Sequence, residues 1–175
     1  LVPKSLPPGW RPSMLATLVY VVDGERVLLI EKRRGHGAGK VNAPGGHVEA
    51  GESFEECARR EIAEEVGVTV GRLTHRAVLH FHDTAKPFDM TACAFVTTEH
   101  EGVARRSPEA EPFWCSIDSI PFARMWEDDR IWVPRVLGGA LIEARLVFTD
   151  DHLVGGEIAE VESLTLPDAT THRED

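Results

Sequence analysis

The segment from Gly45 to Val68, GGHVEAGESFEECARREIAEEVGV, restricts the fold more than any other part of the chain. It sets a glycine-rich loop directly before a helix whose two ends are marked. Ser53 and Glu56 have the three-residue spacing of a capping box, and Gly67 stands where a helix closes with a left-handed residue. Between them Phe54, Ala58, Ile62 and Val66 recur on one face at helical spacing. The same helix carries Glu56, Glu61, Glu64 and Glu65. Glu61 and Glu65 lie four apart and stack along the edge of the apolar stripe, with Glu64 about 100° round from Glu65. At least two carboxylates therefore face partly inward, where an unpaired charge is costly. Glu56 and Glu64 flank Arg60 at four-residue spacings, so Arg60 is expected to neutralise the outer face, and nothing local is expected to neutralise Glu61 and Glu65. A hard divalent cation would do so, because Mg²⁺ takes one or two carboxylates together with substrate phosphates. An acidic helix face is ordinarily solvated surface. Here Gly45, Gly46 and Gly51 precede it and permit close backbone approach to a ligand, which turns the reading toward a metal–phosphate site.

Around this segment the apolar patterning is that of one domain. The chain has 175 residues, 42% hydrophobic and 27% charged, enough for a sizeable core. MLATLVYVVD, Met14 to Asp23, is β-branched and apolar and predicts a buried strand, and RVLLIEKRR returns from the turn signal Asp23–Glu25. RAVLHFHD and MTACAFVTTE predict an antiparallel pair, AEPFWCSID a short strand, and ALIEARLVFTDDHLVGGEIAEVESL a hairpin around Asp150–Asp151. EDDRIWVPRVLGG predicts a second helix that Pro134 cuts or bends. The order β-β-α-β-β-β-α-β-β implies a mixed sheet with helices packed on it. The leading LVPKSLPPGWRPS is proline-rich and lacks an initiator Met. Residues 1–13 are read as an extended leader, partly a remnant of expression, 14–164 as the single domain and 165–175 as a loose polar tail.

Charge and cysteine usage exclude several roles. A formal net charge of -10 argues against binding nucleic acid polymers or anionic membranes through a basic surface. It leaves room for a small anionic ligand, since a bound metal inverts local charge. No apolar run reaches the roughly 18 residues of a membrane span. Cys57, Cys93 and Cys115 show neither CxxC nor zinc spacing, which suggests reduced cytoplasmic thiols packed as small hydrophobes.

Gly46, five residues, Glu52, seven residues, then Arg60-Glu61-Ile62-Ala63-Glu64-Glu65-Val66-Gly67-Val68 fill every fixed position of G-x5-E-x7-R-E-U-x-E-E-x-G-U, with U a bulky aliphatic. In this the chain resembles the Nudix (MutT-like) hydrolases. The resemblance implies an α/β fold, an α/β/α sandwich with a mixed β-sheet between helices. It also implies cleavage of a diphosphate linked to another group with Mg²⁺, or Mn²⁺ in its place. By position Glu61, Glu64 and Glu65 would be the catalytic, metal-ligating set, any one of which, with Glu61 as a candidate, would orient or deprotonate the water. The Gly46 carbonyl would be a further ligand, and Glu52 and Arg60 would brace the loop on the helix. The chemistry agrees: phosphoanhydride hydrolysis needs neutralised non-bridging oxygens and an oriented water, with no nucleophilic side chain.

Further stretches, EKRRGHGAGKVNAPGGHVEAGE and SIPFARMWEDDRIWVP, with Met90 between them, resemble the branch that hydrolyses oxidised purine nucleoside triphosphates, the 8-oxo-dGTP diphosphatase type. That resemblance runs over roughly Leu15 to Val161. It implies that Asn42 hydrogen-bonds the base, that Trp126 stacks on it, and that Asp128 and Asp129 read its edge. Adjacent carboxyls in a partly apolar pocket push one pKa up, so that one donates while its neighbour accepts. Alone, the two acids would read as the first turn of a helix. Lys32 is a candidate for the triphosphate or the pocket, Phe81 and Met90 for its lining, and Glu109, with Glu111 beside it, for completing the metal site. His47, His80 and His82 are candidates for the cleft wall. Val41 and His36 depart from the aromatic residues this branch carries, which bears on the preferred base and leaves the metal site untouched.

The sequence therefore predicts a cytoplasmic Mg²⁺-dependent pyrophosphohydrolase, monomer or dimer, converting a nucleoside triphosphate to monophosphate and pyrophosphate. Two alternatives share the fold: a hydrolase of ADP-ribose, dinucleoside polyphosphates or capped ends, and a non-catalytic nucleotide-binding domain.

Overall fold

The structure, a computed structural model, describes residues 1–169. Its centre is β1 (Met14–Asp23), buried over most of its length as its unbroken apolar run requires. Successive side chains alternate: Ala16 and Tyr20 enter one core, Leu15, Val19 and Val21 the other. A turn through Gly24, at φ 60°, leads into β2 (Arg26–Lys32).

β1 changes partner along its length. Val22 and Asp23 pair with β2, whereas Ala16, Thr17 and Leu18 pair with β4 (Gly45–His47), the short strand that follows β3 (Val41–Asn42). On its other edge β1 runs parallel to β7 (Phe88–Thr97) from Met14 to Val21. β7 forms the expected antiparallel pair with β6 (Thr74–Asp83), which lies parallel to β10 (Leu141–Thr149). β10 and β11 (His152–Val161) make the expected hairpin, with Asp150 and Asp151 both at positive φ in its turn. The sheet order is β11-β10-β6-β7-β1-β2-β3, with β4 added on β1 and β9 (Ala110–Ser116) on β2. β5 (Thr69–Val70) and β8 (His100–Glu101) form a separate small pair. β3, β4, β5 and β8 are too short to leave a period in the sequence.

Each face of the sheet carries a helix. α1 (Phe54–Val66) buries Phe54, Ala58, Ile62 and Val66 with Leu15, Val19 and Phe95. α2 (Asp129–Leu137) buries Trp132, Val133 and Val136 with Tyr20, Leu79 and Leu146 on the opposite side. The expected α/β/α arrangement is present. α1 starts with the capping box between Ser53 and Glu56 and stops at Gly67, φ 72°. Pro134 does not cut α2 at once; the helix continues to Leu137 and its end is met by Gly138 N–H on the Pro134 carbonyl, 3.0 Å.

The residues before β1, expected to form an extended leader, lie on the sheet. Gly156 N–H donates to the Val2 carbonyl at 2.9 Å, and Trp10 Nε1 donates to Asp89 Oδ1 at 2.7 Å with its ring edge-on to His80. Of the tail, residues 165–169 add no strand, Ala169 rests on the α1-side core, and the remainder lies outside the described residues. Among the described residues no helix is long and apolar enough to cross a membrane.

Because Ser53 satisfies an otherwise orphaned N–H of α1, Ser53→Ala is expected to lower unfolding free energy by about 1 kcal/mol. Urea unfolding of the two proteins measures it; an unchanged midpoint contradicts the assignment.

Candidate active site

The fork at which β1 leaves β2 for β4 opens a cavity that runs from the head of the box loop to the start of α2. One end is lined by Gly45, Gly46 and Glu65, the other by Asn42, Trp126, Asp128 and Asp129, with Lys32, Phe81 and Met90 among the residues of its walls. All seven residues expected to touch a nucleotide thus line one cavity. So do Gly46 and Glu65 of the expected metal set, whereas Glu61, Glu64 and Glu109 do not.

At the loop end, space is closed by glycine. A Cβ on Gly46 would collide with the Glu61 carboxylate, and one on Gly45 with the Thr17 carbonyl. Arg60 fixes this arrangement. Its Nε and Nη2 fork onto Glu52 at 2.6 and 3.0 Å, and Nη2 also donates to the His47 carbonyl at 3.0 Å. Nη1 donates to Glu61 Oε1 at 2.8 Å and to Glu64 Oε2 at 3.2 Å. This corrects two expectations. Glu61 has a local counter-charge, because the long Arg60 side chain reaches its sequence neighbour. Glu56 is engaged at the helix cap and not by Arg60. The Arg60 fork holds Glu52 below the usual carboxylate range.

Glu65 is buried, 8% exposed, and its carboxylate meets the Gly45 N–H at 3.3 Å. Burial pushes its pKa up to about 7; the Gly45 N–H opposes this and the charges of Glu61 and Glu109 add to it. Burial raises Glu61 also, against the opposing pull of Arg60. Glu64 points outward, its side chain 63% exposed. Among the described residues no three carboxyl, imidazole or thiol groups close on one point: Glu61 and Glu64 lean on Arg60 while Glu65 turns to Gly45. The donor set still fits a hard divalent ion. It consists of carboxylate and carbonyl oxygens, one of them on a buried acid, beside a backbone that only glycine permits. Glu109 rests 3.6 Å from Arg34, and Glu111 on Arg33 and Arg106.

At the other end Asp128 and Asp129 are 1% and 3% exposed. Asp128 precedes α2 but makes no side-chain cap; its Oδ2 accepts the Trp132 indole N–H at 2.8 Å. The first-turn reading does not account for this carboxyl. Asp128 Oδ1 and Asp129 Oδ2 are buried without partners. Burial raises both groups, and the charge of Asp128 raises Asp129 further. Asn42, a lining residue of the cavity, accepts the Ala43 N–H on its Oδ1 at 2.8 Å, so its amide N–H groups are the donors it can offer a ligand. His36 stacks between Phe88 and Trp126, at 4.4 and 4.7 Å between ring centres, and Lys40 Nζ stands 4.9 Å from the Trp126 ring centre. Burial lowers the His36 pKa, so this ring is neutral near pH 7 and completes an apolar wall. Val41 is buried in the core and takes no part in the cavity.

Of the candidate histidines, His47 lines the cavity, His80 faces the leader through Trp10 and bonds Thr91, and His82 bonds Asp89. The sequence did not single out Asp83, Asp151, Phe88 or Phe148 as lining residues, and all four line the cavity. Asp83 braces the β10–β11 turn by accepting the Asp150 and Asp151 N–H groups, both at 3.0 Å. Neither stretch alone marks this contact, which only the β6–β10 pairing brings about.

A profile of the NUDIX domain matches residues 12–136. The chain is 41% identical over 87% of its length to an oxidized purine nucleoside triphosphate hydrolase of Danio rerio, covering 98% of that protein. It is 38% identical to the Mus musculus protein of the same description, over 86% of this chain and 97% of the relative. Among solved structures, a mutator MutT protein from Bacillus halodurans superposes with a TM-score of 0.73 at 30% identity, over 83% of this chain and 97% of that one.

The buried Glu65 predicts a pH-dependent stability. Its pKa of about 7 in the fold lies above its ordinary 4.5, so the folded chain holds the proton more tightly than the unfolded one. The cost of its charge is absent below pH 4.5, grows as pH rises through the window, and is complete above 7. In chelator-treated protein Glu65→Gln should exceed the parent in stability by at most about 3 kcal/mol above pH 7, and by almost nothing near pH 4.5. Thermal unfolding across that range measures it; a difference independent of pH contradicts it.

Proposed function

The chain belongs to the NUDIX family, and from that footing we propose that it hydrolyses oxidised purine nucleoside triphosphates, such as 8-oxo-dGTP, to monophosphate and pyrophosphate, in the cytoplasmic nucleotide pool. The observation that carries this reading is the continuity of one cavity from Gly46 and Glu65 to Trp126, Asp128 and Asp129. Its two ends suit a metal-bound polyphosphate and a purine with altered edges.

Enzymes of this family work with a divalent metal, which we assign as Mg²⁺, with Mn²⁺ able to substitute. Gly46 through its carbonyl, Glu61, and Glu65 would hold it, with Glu64 and Glu109 as further candidate acids. When bound, such an ion withdraws charge from phosphate oxygens and makes bound water more acidic. Arg60 takes Oε1 of Glu61 and keeps this carboxylate against Gly46, so we assign Oε2 to the ion or to the attacking water's proton. Lys32, on the cavity wall and within electrostatic reach of both Glu65 and His36, would meet a phosphate as a point charge.

Base selection follows from the other end. The aromatic wall of Phe88, His36 and Trp126 and the apolar Phe81 and Met90 would bracket a planar base. Oxidised guanine carries an N7–H donor where guanine has an acceptor. An ionised carboxylate accepts from it, and a protonated neighbour donates to the adjacent carbonyl. A guanine N7 set against a carboxylate leaves two acceptors facing each other, which costs about 1–3 kcal/mol in a buried site. Asn42 adds an amide donor at the same end.

Specificity constants for 8-oxo-dGTP, dGTP and ADP-ribose, measured side by side in Mg²⁺, test this reading. At least about a tenfold preference for 8-oxo-dGTP over dGTP is expected, with monophosphate and pyrophosphate as products. Faster turnover of ADP-ribose would replace the substrate, and no turnover of any would overturn the enzyme reading. Glu65→Gln should cost at least about a hundredfold in turnover with the fold retained; undiminished turnover would contradict its place in the metal set.

A further inference from the structure

Trp126, Asp128 and Asp129 line the cavity, and Glu127 in their midst does not. The four residues form the turn that enters α2, closed by the Asp129 N–H on the Trp126 carbonyl at 3.1 Å. The Glu127 side chain reaches the start of β11 instead, where its carboxylate is divided between two partners. Oε1 meets His152 Nδ1 at 2.9 Å, and Oε2 accepts the Leu153 N–H at 3.0 Å. β11 is the terminal strand of the sheet, with no strand beyond it to take an N–H, and Glu127 takes that of Leu153.

This staple joins two walls of the base end. Leu153 pairs across the hairpin with Phe148, and Phe148 lines the cavity together with Asp151. Trp126 stands edge-on to Phe148, 6.1 Å between ring centres at 86°. The two bonds of Glu127 therefore set how Trp126 and Asp128, its neighbours in sequence, stand against the hairpin wall. The pair with His152 is exposed, its side chains 49% and 77% accessible, and exposed pairs contribute little to folding stability. What two bonds to a strand edge supply is a fixed geometry. We propose that Glu127 is a positioning residue for base recognition: by tying the Trp126–Asp129 turn to the edge of β11 it holds the stacking ring and the carboxyl pair at the spacing a purine needs. This rests on the substrate reading given above.

The glycine loop holds the same turn by a different route. His36 stacks on the Trp126 ring, and a Cβ on Gly37, itself at φ 79°, would stand 3.2 Å from Trp126 Nε1. Trp126 is thus fixed through its ring by the loop and through its sequence neighbour by β11. Releasing Glu127 leaves the ring contacts in place and frees the backbone that carries Asp128 and Asp129. The bond to His152 holds Glu127 below the usual carboxylate range, so it is an acceptor at neutral pH and the imidazole donates from Nδ1. Glu127 also stands next to Asp128 in the chain, and its charge raises that carboxyl. Glutamine separates geometry from charge. Its amide oxygen accepts the Leu153 N–H, and its amide N–H reaches Nδ1 once the ring proton sits on Nε2. Alanine removes both bonds.

The experiment compares the Mn²⁺-loaded parent, Glu127→Ala and Glu127→Gln by calorimetric binding of 8-oxo-dGMP and of tripolyphosphate, which carries no base. Glu127→Ala is expected to weaken 8-oxo-dGMP binding by about fivefold, with KM for 8-oxo-dGTP raised in step and kcat at saturating substrate nearly unchanged. Tripolyphosphate affinity and the urea unfolding midpoint are expected to stay at parent values, and Glu127→Gln to bind 8-oxo-dGMP within about twofold of the parent. Unchanged affinity for 8-oxo-dGMP in Glu127→Ala overturns the proposal. So does an equal loss of tripolyphosphate affinity, which marks a merely structural role. A Glu127→Gln as weak as Glu127→Ala also overturns it, because the effect then belongs to charge on Asp128. A parent that binds dGMP as tightly as 8-oxo-dGMP overturns the substrate reading, while the same comparison made with dGMP still decides whether Glu127 holds the base end.

Discussion

The bracket that Arg60 makes between loop and helix is the contact on which the rest of the site depends. One guanidinium joins Glu52 of the loop, the His47 carbonyl of β4, and Glu61 and Glu64 of α1. β4 in turn is the strand that draws β1 away from β2 and opens the fork. The cavity, the placement of Glu61 over Gly46 and the inward turn of Glu65 all follow from a loop held flat against a helix. Lysine at position 60 could neutralise the charge but could not make the same simultaneous contacts, because it lacks the planar fork.

The cavity places buried carboxyls at both ends, and each end relieves the cost differently. Glu65 is pushed up by burial and sits beside Glu61, which Arg60 only partly neutralises; hard oxygen donors of this kind call for a cation. Asp128 and Asp129 are buried more deeply and beside each other, where two full charges are untenable and a shared proton is the economical state. The same residue chemistry thus yields an ion site at one end and a donor–acceptor reader at the other. Distance along the cavity, and not residue type, separates the two tasks.

Local signals were legible and cross-chain ones were not. Met14–Asp23 was readable as a strand to its last residue, because a continuous β-branched run needs no partner to be recognised. α1 was readable with both caps, because the capping box and Gly67 act within one turn of chain. The seven nucleotide-facing candidates could be named only through the resemblance to the oxidised-purine branch, and they line one cavity. The Arg60–Glu61 contact was missed because neighbours on a helix point about 100° apart and only a long side chain can fold back. His36 on Trp126, Asp83 under the Asp150–Asp151 turn and Tyr20 edge-on to Trp132 each depend on strand register or loop path. Such pairings carry no trace in the residues of either partner alone. The leader, set aside on composition, packs on the sheet through Trp10 and Val2.

One cavity is proposed to grip a metal-bound polyphosphate at one end and a purine edge at the other. A crystal of the protein with manganese and 8-oxo-dGMP tests it most directly, because anomalous scattering locates the ion independently of the nucleotide. A manganese peak is expected against the Gly46 carbonyl, Glu61 and Glu65, with the base of the same bound molecule along Trp126 and its edge on Asp128 and Asp129. Manganese bound away from α1, or a base lying outside the fork with the Asp pair untouched, would contradict it.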